Sequence, residues 1–189
     1  LVQIIALCVR NISVYISDGF GATVDNMSLI VAKFGGTSVA SPERIINVAK
    51  RLVSIHDGGD RVVAVVSAMG KTTDELMGLA NAVNTNPPAR ELDRLLSTGE
   101  QVSMTLLALA LEAMGYKAIS FTGRQAGIET NGIHNKAKIV RIDNKRITDA
   151  LDEGYIPIVA GFQGIDANGD ITTLGRGGSD TTAVAVAWG

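Results

Sequence analysis

Three short stretches hold the residues whose types and spacing suit chemistry on an anion. The first is Lys33-Phe34-Gly35-Gly36-Thr37-Ser38. Adjacent glycines let a backbone turn without a Cβ clash and bring its N–H groups close to an anion. Lys33 adds a mobile point charge at the same place. The second, Ser67-Ala68-Met69-Gly70-Lys71-Thr72-Thr73, sets hydroxyls around a glycine. The third, Gly175-Arg176-Gly177-Gly178-Ser179-Asp180-Thr181-Thr182, packs a guanidinium, a glycine pair, a hydroxyl and a carboxylate ahead of a helix. Arg176 suits bidentate capture of a carboxylate, and the free N–H groups of a helix start favour negative charge. Asp180 has two readings: a cap for that helix, or a carboxylate that holds a lysine in position. Glycine-rich turns before helices are common. Two in one chain, one with Lys33 and one with Arg176, point to an anionic ligand, a phosphate foremost.

Each stretch stands at the end of a candidate strand. Residues 29–32 are apolar and read as a buried strand running into the Lys33 turn. Ser41 and Pro42 suit the N-cap and first position of a helix. Its apolar stripe is Ile45, Ile46, Val48, Ala49, Leu52 and Val53, and Gly58-Gly59-Asp60 ends it. Residues 61–67 read as a second strand, apolar on both faces, so strand, helix and strand imply a parallel pair with a right-handed crossover. Thr72 with Glu75 fits a capping box for a helix through Leu76, Leu79, Ala80 and Val83. A helical pattern covers 89–96, residues 97–100 interrupt it, and 101–114 is apolar nearly all round, predicting a buried helix that Gly115 closes. Further strands are expected at 117–121, 138–142 and 155–162, with a loop over 122–135 and a helix over 145–153. Pro157 cannot donate to a ladder, which predicts an edge position or a local irregularity for the last strand. Residues 166–170 carry a hairpin turn signal, and the last helix starts at Ser179 or Asp180. The alternation predicts an α/β sandwich with a mostly parallel sheet. In such sheets ligands sit beyond the carboxyl ends of the strands, where all three stretches fall.

Composition narrows the function classes. The 189 residues carry 17 Lys and Arg against 19 Asp and Glu, a net charge of −2, which gives no footing for nucleic-acid binding. Hydrophobic residues make up 46% and aromatics 4%, so the core is aliphatic and the length fits one domain. The single cysteine, Cys8, excludes an intramolecular disulfide framework, points to a reducing compartment, the cytoplasm, and is expected to be a small buried hydrophobe. The apolar run from Ile4 to Val9 is too short to span a membrane and lacks the flanks of a signal peptide. Residues 1–26 read as a leader outside the functional domain, with Met27 as the natural start. The alternative is a pair of edge strands over 3–9 and 12–16. His56 and His134 are expected at the surface, and no His, Cys or carboxylate spacing suggests a protein-held metal.

As a set, the segments LIVAKFGGTSV, VVSAMGKTTDEL, STGEQVS, SFTGRQAGI, IVAGFQG and TTLGRGGSDTTA resemble the aspartate kinases of the amino acid kinase family. The resemblance covers residue 28 to the end. It implies a three-layer sandwich of the carbamate kinase-like type, with 27–189 as the N-terminal, aspartate-binding portion of the kinase domain. It implies transfer of phosphate from ATP, with Mg²⁺ carried on the nucleotide, to the β-carboxylate of L-aspartate. That reaction opens the route to lysine, threonine and methionine. On the matched motifs, Lys33 neutralises charge on the transferred group and Asp180 orients Lys33. Phe34, Gly35 and Gly36 face the nucleotide phosphates. Ser67 and Thr73 contact substrate, Glu100 binds the aspartate ammonium, and Arg176 holds its carboxylates with help from Gly177, Gly178 and Ser179. Phosphoryl transfer needs positioning and charge stabilisation above all, and an ionised carboxylate needs no general base, so Glu100 suits ammonium recognition better than proton transfer.

Aspartate kinases continue beyond the second glycine turn into a lobe with most of the nucleotide contacts and then regulatory domains. The sequence ends at Trp188-Gly189. It is therefore expected to be a truncated kinase domain, inactive alone and prone to association, with a homo-oligomer expected of the full-length protein. Two other readings stay open: a non-catalytic amino-acid-binding or regulatory module, and an amino acid kinase acting on another carboxylate. A dinucleotide-binding Rossmann domain is disfavoured, because no G-x-G-x-x-G follows the first strand.

Overall fold

The structure is a computed structural model that describes Ala6–Val9 and residues 28–188. In chain order the elements are β1 (Ala6–Val9), β2 (Leu29–Phe34), a 3₁₀ turn (Gly36–Val39), α1 (Pro42–Asp57), β3 (Arg61–Val66), α2 (Thr72–Val83), α3 (Ala89–Leu96) and α4 (Thr98–Ala113). They continue as β4 (Ala118–Phe121), β5 (Ile128–Thr130), β6 (Ile139–Ile142), α5 (Lys145–Asp152), β7 (Ile156–Ala160), β8 (Gln163–Ile165), β9 (Ile171–Thr173) and α6 (Gly178–Trp188).

Runs of Val, Ile and Ala apolar on both faces suit a sheet covered on both sides, and that is what forms. The central sheet has the order β1-β2-β3-β7-β4, in which β2, β3, β7 and β4 are parallel and β1 joins the edge antiparallel. One face carries Ala32, Phe34, Ala64, Val66, Ile158 and Ala160 and packs on α1 and α4 through Leu52, Leu107 and Leu111. The other carries Val31, Val63, Val65 and Val159 and packs on α5 and α6 through Ile147, Ala150, Ala183 and Val186. The result is the expected three-layer α/β sandwich. A second, four-stranded sheet, β6-β5-β8-β9, stands beyond it.

The helices that lead back into the parallel strands end alike. After α4, Gly115 takes φ +87°, its N–H bonds to Glu112 O and the Tyr116 N–H to Leu111 O. This is a Schellman close that glycine makes without strain, as expected for Gly115. Gly59 after α1 and Gly154 after α5 repeat it.

Several expectations need correction. Pro157 sits in β7, a central strand, opposite Ile119 of β4. The ladder with β3 starts one residue later, at Ala64 opposite Ile158, so the missing donor falls before that ladder begins. No capping box forms at α2, because the cap position is Lys71 with no side-chain bond. α4 starts at Thr98, so the break at 97–100 is instead its first turn. It is not buried all round either, since Val102, Leu106 and Leu109 are exposed. The loop expected over 122–135 contains β5. Ser41 does cap α1, its hydroxyl accepting from the Arg44 N–H at 3.4 Å.

The alternative edge strand over 3–9 is present in part as β1. The expectations for the Cys8 side chain, for Met27 and for a strand over 12–16 lie outside the described residues.

Candidate functional site

The site is built where β2, β3 and β7 end together. After β2 the chain turns through Gly35 into the 3₁₀ turn, and after β3 it passes through Ser67 to Gly70. The two turns are laced by backbone bonds, Ser67 N–H to Phe34 O at 3.0 Å and Gly70 N–H to Gly36 O at 3.0 Å. A Cβ at Gly36 would lie 2.8 Å from the Ala68 carbonyl oxygen, so only glycine lets the two turns approach this closely.

The turn before α6 meets them from across the sheet. The Lys33 ammonium lies 2.8 Å from Asp180 Oδ1, with Lys33 mostly buried and Asp180 half-exposed. No hydrogen-bond geometry accompanies that approach, so the contact is an ion pair without a directional bond. Among the described residues the Asp180 side chain accepts no backbone N–H, so it faces the lysine instead of capping α6. Ser67 Oγ and Ser179 Oγ are 2.9 Å apart. Gly161, at the end of β7, leaves the room that Ser179 occupies, since a Cβ there would fall 2.6 Å from its hydroxyl.

Glu100, in the first turn of α4, enters from the α1–α4 face. It is 3% exposed, and its Oε1 accepts the Ala68 N–H at 3.0 Å. Its Oε2 is buried with no hydrogen-bond partner among the described residues. Burial pushes the carboxyl up to about 7, against the Ala68 N–H, which pulls it down. One turn on, Ser103 Oγ donates to Ser67 O at 2.7 Å, which ties α4 to the β3 turn. An ammonium, a carboxylate, two hydroxyls and a buried acceptor thus converge on a set of glycine turns.

The other expected residues fall around this group. Thr73 lies in the first turn of α2, half-buried. Phe34 is fully buried in the core, so only its backbone faces the turn. Arg176 is exposed on the turn that carries Ser179 and Asp180, with no ion pair to a described residue. Gly177 N-terminal to α6 has φ +73°, and its carbonyl accepts the Asp180 N–H at 3.0 Å.

Two features escaped the sequence reading. Phe162, just after β7, has φ +67°, an unfavourable region for an aromatic residue. The Thr182 hydroxyl and the Leu174 N–H hold it there, at 3.2 Å and 2.9 Å. Asp93, in α3, is fully buried, and His134 is 2.7 Å from it and only partly exposed. The surface expectation for His134 is thereby corrected, whereas His56 is exposed.

A cleft lined by Arg90, Arg94, Arg124, Gln163 and Asp170 lies apart from this group. The convergence of charged and hydroxyl groups at the strand ends is what marks the candidate site.

Comparison with known proteins shows the family to which the chain belongs. The pattern of the amino acid kinase family matches residues 28–189. The chain is 61% identical over 161 residues to the aspartokinase of Bacillus sp. (strain MGA3), covering 85% of this chain and 39% of that protein. It is 62% identical over 161 residues to the aspartokinase of Geobacillus stearothermophilus, covering 85% and 40%. Among solved structures, aspartate kinase from Synechocystis superposes with a TM-score of 0.72 at 52% identity, over 84% of this chain and 26% of that one. E. coli aspartokinase III in complex with aspartate and ADP superposes with a TM-score of 0.73 at 26% identity, over 84% and 46%. The chain therefore spans about two fifths of the length of these curated relatives.

Proposed function

The chain belongs to the amino acid kinase family, and from that premise we propose that it supplies the amino-acid-binding and phosphoryl-end half of an aspartate kinase. The reaction is transfer of the γ-phosphoryl group of ATP, brought as its Mg²⁺ complex, to the β-carboxylate of L-aspartate. The product is 4-phospho-L-aspartate, the first intermediate toward lysine, threonine and methionine, and the setting is the cytoplasm. The observation that carries this reading is the pairing of an ammonium with an unmatched acceptor. Lys33 is held by Asp180, and Glu100 offers a buried Oε2 with no hydrogen-bond partner among the described residues.

The roles follow from charge. Lys33 lies over Gly35, with its Nζ 3.5 Å from where a Cβ there would stand. It offsets the negative charge that spreads over the transferred phosphoryl oxygens. The turn at Gly35 and Gly36 presents N–H groups to the nucleotide phosphates. Ser67, Thr73 and Ser179 contact the amino acid. Glu100 accepts from its ammonium, and Arg176 closes on its carboxylates. The attacking oxygen is already an anion, so no residue needs to remove a proton.

A coupled ADP-release assay on the intact protein tests this. Turnover is expected with L-aspartate, and Lys33→Ala is expected to lower kcat by about 10²- to 10³-fold, the usual scale for losing one transition-state donor. Turnover with a different carboxylate in place of aspartate would replace the substrate. Aspartate binding that is indifferent to both nucleotide and Lys33 would instead make this a non-catalytic amino-acid-binding module.

A further inference from the structure

Asp93 is a fully buried carboxylate that none of the assigned roles uses. Three groups from two distant segments converge on it. Thr173 Oγ1 donates to Oδ1 at 2.5 Å. The Asn135 N–H reaches both carboxylate oxygens at 3.1 Å. His134 Nδ1 approaches Oδ2 at 2.7 Å and, facing a carboxylate, is the donor. Thr173 ends β9 and is three residues from Arg176. The Asn135 segment backs the same turn: its carbonyl oxygen lies 3.3 Å from where a Cβ at Gly175 would stand, and the Ala137 N–H bonds to Thr173 O at 2.9 Å. Asp93 itself lies one turn ahead of the junction between α3 and α4, and α4 carries Glu100 in its first turn. At that junction the buried Gln163 donates its Nε2–H to Ser97 O at 2.9 Å, tying it to β8.

We propose that Asp93 is a positioning residue that sets the Arg176 turn against the α3–α4 junction. It thereby fixes the separation between the group that takes the substrate carboxylates and Glu100, which takes the ammonium. This rests on the substrate roles given above. Asp93→Asn keeps the shape but removes the charge and one of the two acceptor oxygens, so the charge-assisted bonds from Thr173, Asn135 and His134 become fewer and weaker. Thr173→Val removes one donor at constant volume. His134→Asn keeps an N–H near the place of Nδ1, and His134→Ala does not.

The test uses the intact protein and reads kinetics and hydrogen exchange side by side. Asp93→Asn and Thr173→Val are expected to raise the KM for aspartate about 10-fold or more, the scale of one charge-assisted bond, while kcat and the KM for ATP stay within a few-fold. His134→Ala should share the defect, and His134→Asn should largely restore it. In Asp93→Asn, amides over 134–137 and 174–179 should exchange faster while those of α1 do not change. Unchanged exchange over 174–179 overturns the clamp. A rise in both KM values together overturns its specific link to the aspartate carboxylates. If the wild-type protein turns over no aspartate, the substrate reading falls, and the exchange pattern still decides whether Asp93 holds the turn. If Asp93→Asn fails to fold, Thr173→Val and His134→Ala carry the same comparison.

Discussion

Glu100 concentrates the tension between stability and binding in one side chain. Its carboxyl is raised from 4.5 to about 7 by burial. A proton is therefore held in the folded state where the unfolded chain has released it. The stability this contributes is fully present below about pH 4.5 and lost as pH rises to about 7, by roughly 3 kcal/mol at most. Glu100→Gln should flatten that slope and unfold at higher denaturant concentration at pH 8, which chemical denaturation at pH 5, 6.5 and 8 would show. An ammonium ligand at Oε2 prefers the ionised form. Aspartate binding should therefore tighten from pH 5.5 to 7.5 and release a proton in that window, read by calorimetry in buffers of different ionisation enthalpy. In Glu100→Gln, affinity should fall roughly 10- to 100-fold and the proton release should vanish. A pH-independent affinity in the wild type would mean that the ammonium goes elsewhere.

At the level of elements, the turns decide the site, and two glycines test this with opposite signs. Gly36→Ala would drive a Cβ to 2.8 Å from the Ala68 carbonyl oxygen and 3.3 Å from that of Gly70, both backbone and unable to step aside. It should cost about 1–3 kcal/mol and abolish activity. Gly78, inside α2, has no atom within 4 Å of such a Cβ. Gly78→Ala should instead stabilise the protein by about 0.5–1 kcal/mol and leave kcat unchanged. Paired melting curves read both. Most of these elements were legible because strand and helix periods are local. The apolar runs of β2, β3 and β7 and the Ser41-Pro42 start of α1 are written in adjacent residues. β5 and β8 were not: each is only three residues long, β8 has Gly164 at its centre, and the two pair with each other through Glu129 and Ile165, far apart along the chain. Pro157 misled for a related reason: its tolerance depends on where the β3 ladder starts. The site splits the same way. Lys33, Ser67 and Asp180 announce themselves at strand ends. Asp93 reads as one more polar residue in a helical stretch, because its partners lie 41 to 80 positions away.

Across the whole molecule, one sheet is shared by two apolar layers, and the site is assembled from turns that belong to both. Lys33 leaves β2 between Ala32, which faces α1 and α4, and Phe34 on that same face. Asp180 opens α6, which packs on the other. The Lys33–Asp180 pair therefore persists only while both layers grip the sheet. Leu52→Ala empties a fully buried position on one face and Ile147→Ala one that is 3% exposed on the other. Each should cost about 2–5 kcal/mol. The two side chains share no partner, so the double variant should lose the sum to within about 0.5 kcal/mol. All of them should unfold in a single transition with an unchanged dependence on denaturant. Circular dichroism and exchange protection over α1 and α5 would follow the two layers separately. Protection lost from α5 at lower denaturant than from α1 would mean that the layers separate. In that case the ion pair at the strand tips would open before the protein unfolds, and aspartate binding should fail at that first step.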